Sequence, residues 1–298
     1  MKKIVIPVFF SLVAISSYAL PDYDPFSDAT SGSGTSYTVG SNLIGQTNAA
    51  GVGWTQAGPN SAVQPTIQAG DLTISGLASS GGNQSVKFGG NGTSARFNLS
   101  SIVGSGTIYY SFALKLTSIA GLSSSGVFWS GFNNSAGTQL TTPTTVVTRI
   151  VTRTGPGGTF NLGLDKSSGI VGSFVWDSNN FAPTTDTIFI VGSYTFNSGS
   201  TTDDVSQMWV NPNSADFGAA NAPAGGLTST AGNDISLNQI ASFVFFDRNA
   251  AEPAGIVADD LRIGTSWADV TPAVPEPTTW VLTAVGLAGL FLRRIIRR

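Results

Sequence analysis

The chain predicts an all-β fold, a β-sandwich of the jelly-roll type. Three observations carry that reading: apolar residues recur at every second position through most of the chain, the segments so patterned are short, and clusters of Gly, Ser, Thr, Asn and Pro separate them. A strand turns successive side chains to opposite faces, so a period of two marks one buried face and one wetter face.

Taken in order, Leu72 and Ile74 open the pattern and Val86 and Phe88 repeat it. "TIYYSFALKLTSI" is its longest run: Ile108, Tyr110, Phe112, Leu114 and Leu116 fall on one face and Tyr109, Ser111, Ala113, Lys115 and Thr117 on the other, which predicts a long, half-buried strand. Val147 to Val151, then Phe160, Leu162 and Leu164, continue it. Ile188, Ile190, Tyr194 and Phe196 follow, then Val205 to Val210, Ile240 to Phe246 and Ile256 to Ile263. "SSGGNQ", "GPGGT", "NSGSTTDD" and "APAGG" between them are turn chemistry. No stretch of the body holds a capped helical period over three turns, and roughly ten or more strands joined by tight turns describe a sandwich. A solenoid needs a fixed internal period, and none is found.

The two ends differ from this body. Lys2 and Lys3, an apolar run from Ile4 to about Ile15, and small residues at Ser17 and Ala19 form a signal peptide over residues 1–19. Signal peptidase is expected to cut between Ala19 and Leu20 after passage through the secretion translocon. The sandwich then occupies 20–272 and a tail 273–298. Trp280 to Leu292 is uncharged and spans about 20 Å as a helix, short of the ~30 Å hydrocarbon core. Thr278, Thr279 and snorkelling arginines extend it to a marginal transmembrane helix. Because cationic residues stay on the cytoplasmic side, Arg293, Arg294, Arg297 and Arg298 fix the tail's end inside and the body outside.

Pro275-Glu276-Pro277, the apolar segment and the terminal arginines, in that order, resemble the PEP-CTERM sorting signal of Gram-negative bacteria. Glu occurs at only one other position, Glu252. The resemblance implies that an exosortase recognises Pro275, Glu276 and Pro277, removes the tail and passes the body to the cell surface or matrix. Contact with the membrane, through the tail helix, is then transient. "VADDLRIGTSWADVTP" (257–272) and "YTFNSGSTTDDVSQMWVNP" (194–212) resemble the closing strands of concanavalin A-like and laminin-G-like jelly rolls, which implies that fold for the body.

Composition narrows the chemistry. Of fourteen Lys and Arg, Lys2, Lys3 and four terminal arginines belong to the ends, leaving eight in the body; of seventeen acids only Glu276 does, leaving sixteen, a net of −8. Nucleic-acid binding, which needs clustered cations, is disfavoured. With no Cys and no His there are no disulfides, no thiolate or imidazole metal sites and no Ser-His-Asp triad. The Asn-x-Ser/Thr sequons at Asn83, Asn91, Asn98 and Asn133 are what chance gives in so Asn- and Ser-rich a chain.

"VFWSGFNNS" is the most sugar-site-like stretch, with Trp129, Asn133 and Asn134 as candidate carbohydrate contacts, although aromatics on strands are first of all core residues. Asp203, Asp204, Asp259 and Asp260 are candidate ligands of a structural Ca2+, which favours carboxylate and carbonyl oxygens. They form no EF-hand or nonapeptide pattern, and no other cofactor is expected. Glycoside hydrolysis needs two facing carboxyl groups, and the single body Glu lies in the loop "RNAAEPAG". The expectation is an exported, non-catalytic surface or matrix protein associated with exopolysaccharide. A secreted carbohydrate-binding receptor or glycoside hydrolase on the same scaffold is the alternative.

Overall fold

The computed structural model describes residues 20–27, 37–48, 51–79 and 82–274; the expected signal peptide and the tail from residue 275 lie outside them. In chain order the strands are β1 (Asp22–Asp24), β2 (Trp54–Gln56), β3 (Thr66–Ala69), β4 (Gln84–Phe88), β5 (Ala95–Val103), β6 (Thr107–Ser118), β7 (Val127–Asn133), β8 (Val146–Thr154), β9 (Phe160–Asp165), β10 (Val175–Trp176), β11 (Ile188–Thr195), β12 (Val205–Val210), β13 (Leu227–Ser229), β14 (Ile240–Phe245) and β15 (Gly255–Gly264), followed by α1 (Trp267–Val270). They pair antiparallel into two sheets. The first runs β13-β12-β11-β6-β15-β4-β3 with β1 beside β15, and the second runs β10-β9-β8-β7-β14-β5-β2. The chain changes sheet from β5 to β6, again to β7, and again from β14 to β15. This interleaving ties the two layers into one sandwich.

Between the sheets, Ile108, Tyr110, Phe112, Leu114 and Leu116 of β6 are fully buried, as their alternation predicts. They meet aromatic rings of the second sheet: Tyr110 lies 4.7 Å from Phe243, and Phe112 lies 6.1 Å from Trp129, edge to face.

The opposite side of β6 is a correction. It was expected to be wet, yet Ser111 and Ala113 are also fully buried. Trp267 and Val270 of α1 pack there with Leu77, Phe189, Val191, Trp209 and Phe217 as a second apolar layer. One turn of helix suffices because Ser266 and Asp269 cap it reciprocally.

Leu72 and Ile74 form no strand. The segment runs across the first sheet, Leu72 packs on Ala113 and Val257, and its amide donates to Asp259 Oδ2 at 2.8 Å.

Asp24 locks the N-terminal strand. Its buried carboxylate accepts from Tyr37 Oη at 2.6 Å, Trp54 Nε1 at 2.7 Å and the Phe26 amide at 2.8 Å. Burial still pushes its pKa up, because hydrogen bonds offset only part of the cost of desolvating a charge.

Candidate functional site

The stretch that resembles a sugar site is buried, Trp129 in the core and the two asparagines among polar partners. Trp129 is fully buried and donates from Nε1 to Thr152 Oγ1 at 2.8 Å. Asn133, 1% exposed, accepts from Arg96 Nη2 and donates to the Thr145 carbonyl. Asn134 is 8% exposed and binds Ser236. Two register irregularities in β7, at Phe128/Ser130 and Ser130/Phe132, shift the phase that simple alternation assumes, so Trp129 faces the core while Asn133 lies on the side of Arg96.

The acidic pairs also separate. Asp203 and Asp204 lie in the β11–β12 hairpin as expected, and Asp234 joins them, with carboxylate oxygens within 4.8 Å of one another. The cation facing this group is the protein's own: Lys166 Nζ, with its side chain fully buried, sits 2.6 Å from Asp234 Oδ1. Amides of Gly199 and Ser200 donate to Asp203, and that of Asn197 to Asp204. The arrangement closes the hairpin.

Asp259 and Asp260, expected at a strand start, lie inside β15 at a register shift, Asp260 with φ +56°. Asp260 accepts from Tyr23 Oη and lies 3.6 Å from Arg262. Burial, then the charge of Asp260, pushes the Asp259 pKa up to about 8.

A different surface gathers chemistry. Ile150 and Thr152 of β8 point into the sandwich, so Arg149, Val151 and Arg153 point out; the flanking strands add Phe128 from β7 and Asn161, Gly163 and Asp165 from β9, and β5, two strands beyond β7, adds Arg96 and Asn98. With Arg248 just beyond β14, this outer face of the second sheet holds four of the body's eight basic residues. The guanidinium groups of Arg149 and Arg248 lie 4.4 and 3.8 Å from the Phe128 ring centre, and that of Arg153 lies 4.0 Å from Trp176. Such stacking orients a planar cation while leaving its edge open.

The cations are not alike. Arg149 pairs with Asp165 at 3.0 Å and Arg248 with Glu252 at 2.7 Å. Arg96 is fully buried beneath residues 137–139, bound to Gly137 O, Asn133 Oδ1 and Gln139 Oε1, and burial lowers its pKa to about 10. Arg153 is half-buried, and only its Nε is engaged, donating to Asn161 Oδ1 at 3.0 Å.

Gly163 makes the Trp176 seat. A Cβ at that position would meet Trp176 Cε3 at 2.6 Å, so the indole lies where only glycine leaves room. Gly163→Ala is expected to lift the ring, costing ~1–3 kcal/mol and red-shifting the tryptophan emission. An unchanged spectrum and melting curve would show that the seat tolerates a methyl group.

Two carboxyls border this face. Burial pushes Asp247 up to about 7, and Glu252 up to about 7 against the pull of Arg248. Both are fully buried and so shut off from anything lying on the sheet.

On the opposite sheet the chain leaves the body under restraint. Thr271 O accepts from the Gly218 amide, Pro272 O from the Ala78 amide, Ala273 bridges Leu77, and the Val274 amide donates to Gly76 O at 3.0 Å. Residues 273–298 match the PEP-CTERM protein-sorting motif. The PEP-CTERM motif thus begins on residues that are still paired with the body. It implies an exported precursor, held at the membrane and handled by an exosortase. Among the described residues no helix is long and apolar enough to cross a membrane.

No curated protein matches the chain. Among solved structures it is similar to an endo-β-1,4-glucuronan lyase from the fungus Trichoderma reesei (12% identity, 74% of this chain and 97% of that one, TM-score 0.42). It is also similar to the alginate lyase Aly36B (12%, 67% and 97%, 0.38) and to the carbohydrate recognition domain of Emp47p (8%, 70% and 94%, 0.36).

Proposed function

We propose that this chain is an exported cell-surface or matrix protein, delivered through the secretion translocon and signal peptidase. An exosortase then sorts it and cleaves its tail. The body associates with extracellular polysaccharide through the outer face of the second sheet and does no chemistry on it. The observation that carries the reading is the PEP-CTERM match at residues 273–298. The face supports it: Arg153, stacked on Trp176 beside Asn161, is a planar donor at the surface of this sheet, suited to chains of hydroxyl and acidic groups. Binding without cleavage is favoured because the two carboxyls with pKa values near 7, Asp247 and Glu252, are fully buried.

Mass spectrometry of the exported protein, from cells with and without exosortase, tests this. The expected product starts at Leu20 and lacks Trp280 to Arg298 only where exosortase is present. An intact tail in both strains would leave a permanent anchor instead. Release of reducing ends from a polysaccharide by the pure protein would replace binding by hydrolysis.

A further inference from the structure

We infer that Arg153, Trp176 and Asn161 form a recognition site for a carboxylate-bearing sugar, so that the polysaccharide bound is a polyuronate. This rests on the polysaccharide reading above and names its ligand class. Four ion pairs occur among the described residues, those of Arg149, Lys166, Arg248 and Arg262, and Arg153 belongs to none of them. Its guanidinium is nevertheless held in place. Trp176 supports it from one side at 4.0 Å, and Asn161 Oδ1 accepts a hydrogen bond from its Nε. Asn161 is itself fixed, donating from Nδ2 to the carbonyls of Asp177 at 2.7 Å and Asn179 at 2.6 Å.

The two Nη groups therefore form a fixed fork with no hydrogen bond to the described residues. A planar fork of two donors matches the two oxygens of a carboxylate, and holding it beforehand lowers the entropy lost on binding. A neutral sugar would leave that charge unanswered. The body carries a net −8, so attraction of a polyanion has to be local, and four of its eight basic residues lie on this face.

The test is calorimetric titration of the exported protein with oligogalacturonate, its fully methyl-esterified form, dextran sulfate and a neutral β-glucan. The expected result is binding of oligogalacturonate, at least tenfold weakened by methyl esterification, by Arg153→Gln and by Arg153→Lys, which keeps the charge but removes the fork. The melting temperature of Arg153→Gln should stay near that of the parent, since the side chain is half-buried at the surface.

Equal affinity for acid and ester, or for parent and Arg153→Gln, would overturn the assignment. Dextran sulfate binding as tightly would make this a general polyanion patch and overturn it too. Binding of the neutral glucan alone would keep the polysaccharide reading and remove this one, and binding of no glycan would remove both.

Discussion

Replacing Asp24 by alanine is expected to destabilise the body by about 3 kcal/mol or more, judged from ~1–3 kcal/mol for each buried donor left without an acceptor. Three such donors depend on this one carboxylate: Tyr37 Oη, Trp54 Nε1 and the Phe26 amide. They come from three separate stretches of chain, so their loss releases β1 from β15 and loosens Trp54, which stacks 5.5 Å from Phe245 in the core. Removing a buried charge returns part of the energy, because burial already raises the Asp24 pKa. Asp24→Asn should fall between, since an amide offers one acceptor but brings a donor among donors. Urea unfolding of the three proteins at one pH measures the difference. A loss below about 1 kcal/mol for the alanine variant would show that water replaces the carboxylate, and the account of β1 would fail.

The second large effect is a loss of stability with rising pH. Burial raises Asp247 to about 7 and Asp259 to about 8, whereas an unfolded chain titrates aspartate near 3.9. The folded state therefore holds protons that the unfolded state has released. That preference is fully present below about pH 4 and is lost as pH rises through 7 to 8. The melting temperature is expected to be highest in acid and to drop by about 10 °C or more by pH 8.5, taking ~2–4 °C per kcal/mol for a domain of this size. Asp259→Asn, which stays neutral, should flatten the slope while keeping an acceptor for the Leu72 amide. A flat profile, or one rising toward pH 8.5, would mean that these carboxyls stay ionised in the fold.

What the sequence reveals of the fold is its period. β6, β8, β9, β11, β12, β14 and β15 all follow from alternation, because one face of each meets a single continuous core. Alternation does not say what covers the other face, which is why Ser111 and Ala113 were expected in water. Their cover comes from α1 over Ser111 and from Leu72 over Ala113, both far away in sequence. Register shifts break the phase: alternation puts Trp129 and Asn133 on one face, whereas Trp129 lies in the core and Asn133 beside Arg96, and Asp259 and Asp260 fall inside β15 where a strand start is expected.

The arginine face left one legible trace. In "RIVTR", Arg149 and Arg153 are four apart and so share a side of any strand. Nothing local shows that Trp176 folds beneath Arg153, because the contact depends on a glycine thirteen residues from one partner and ten from the other not obstructing the ring; the missing Cβ of Gly163 is visible only once β9 and β10 are paired.

The bond from Val274 to Gly76 sets a leash length. Five residues, Pro275 to Thr279, separate it from the uncharged run that opens at Trp280, and they reach at most ~18 Å when fully drawn out. On the proposed reading, in which the uncharged run anchors the precursor, that leash leaves from the back of the first sheet, and the attached body is expected to hold this side nearer the lipid than the arginine-bearing sheet.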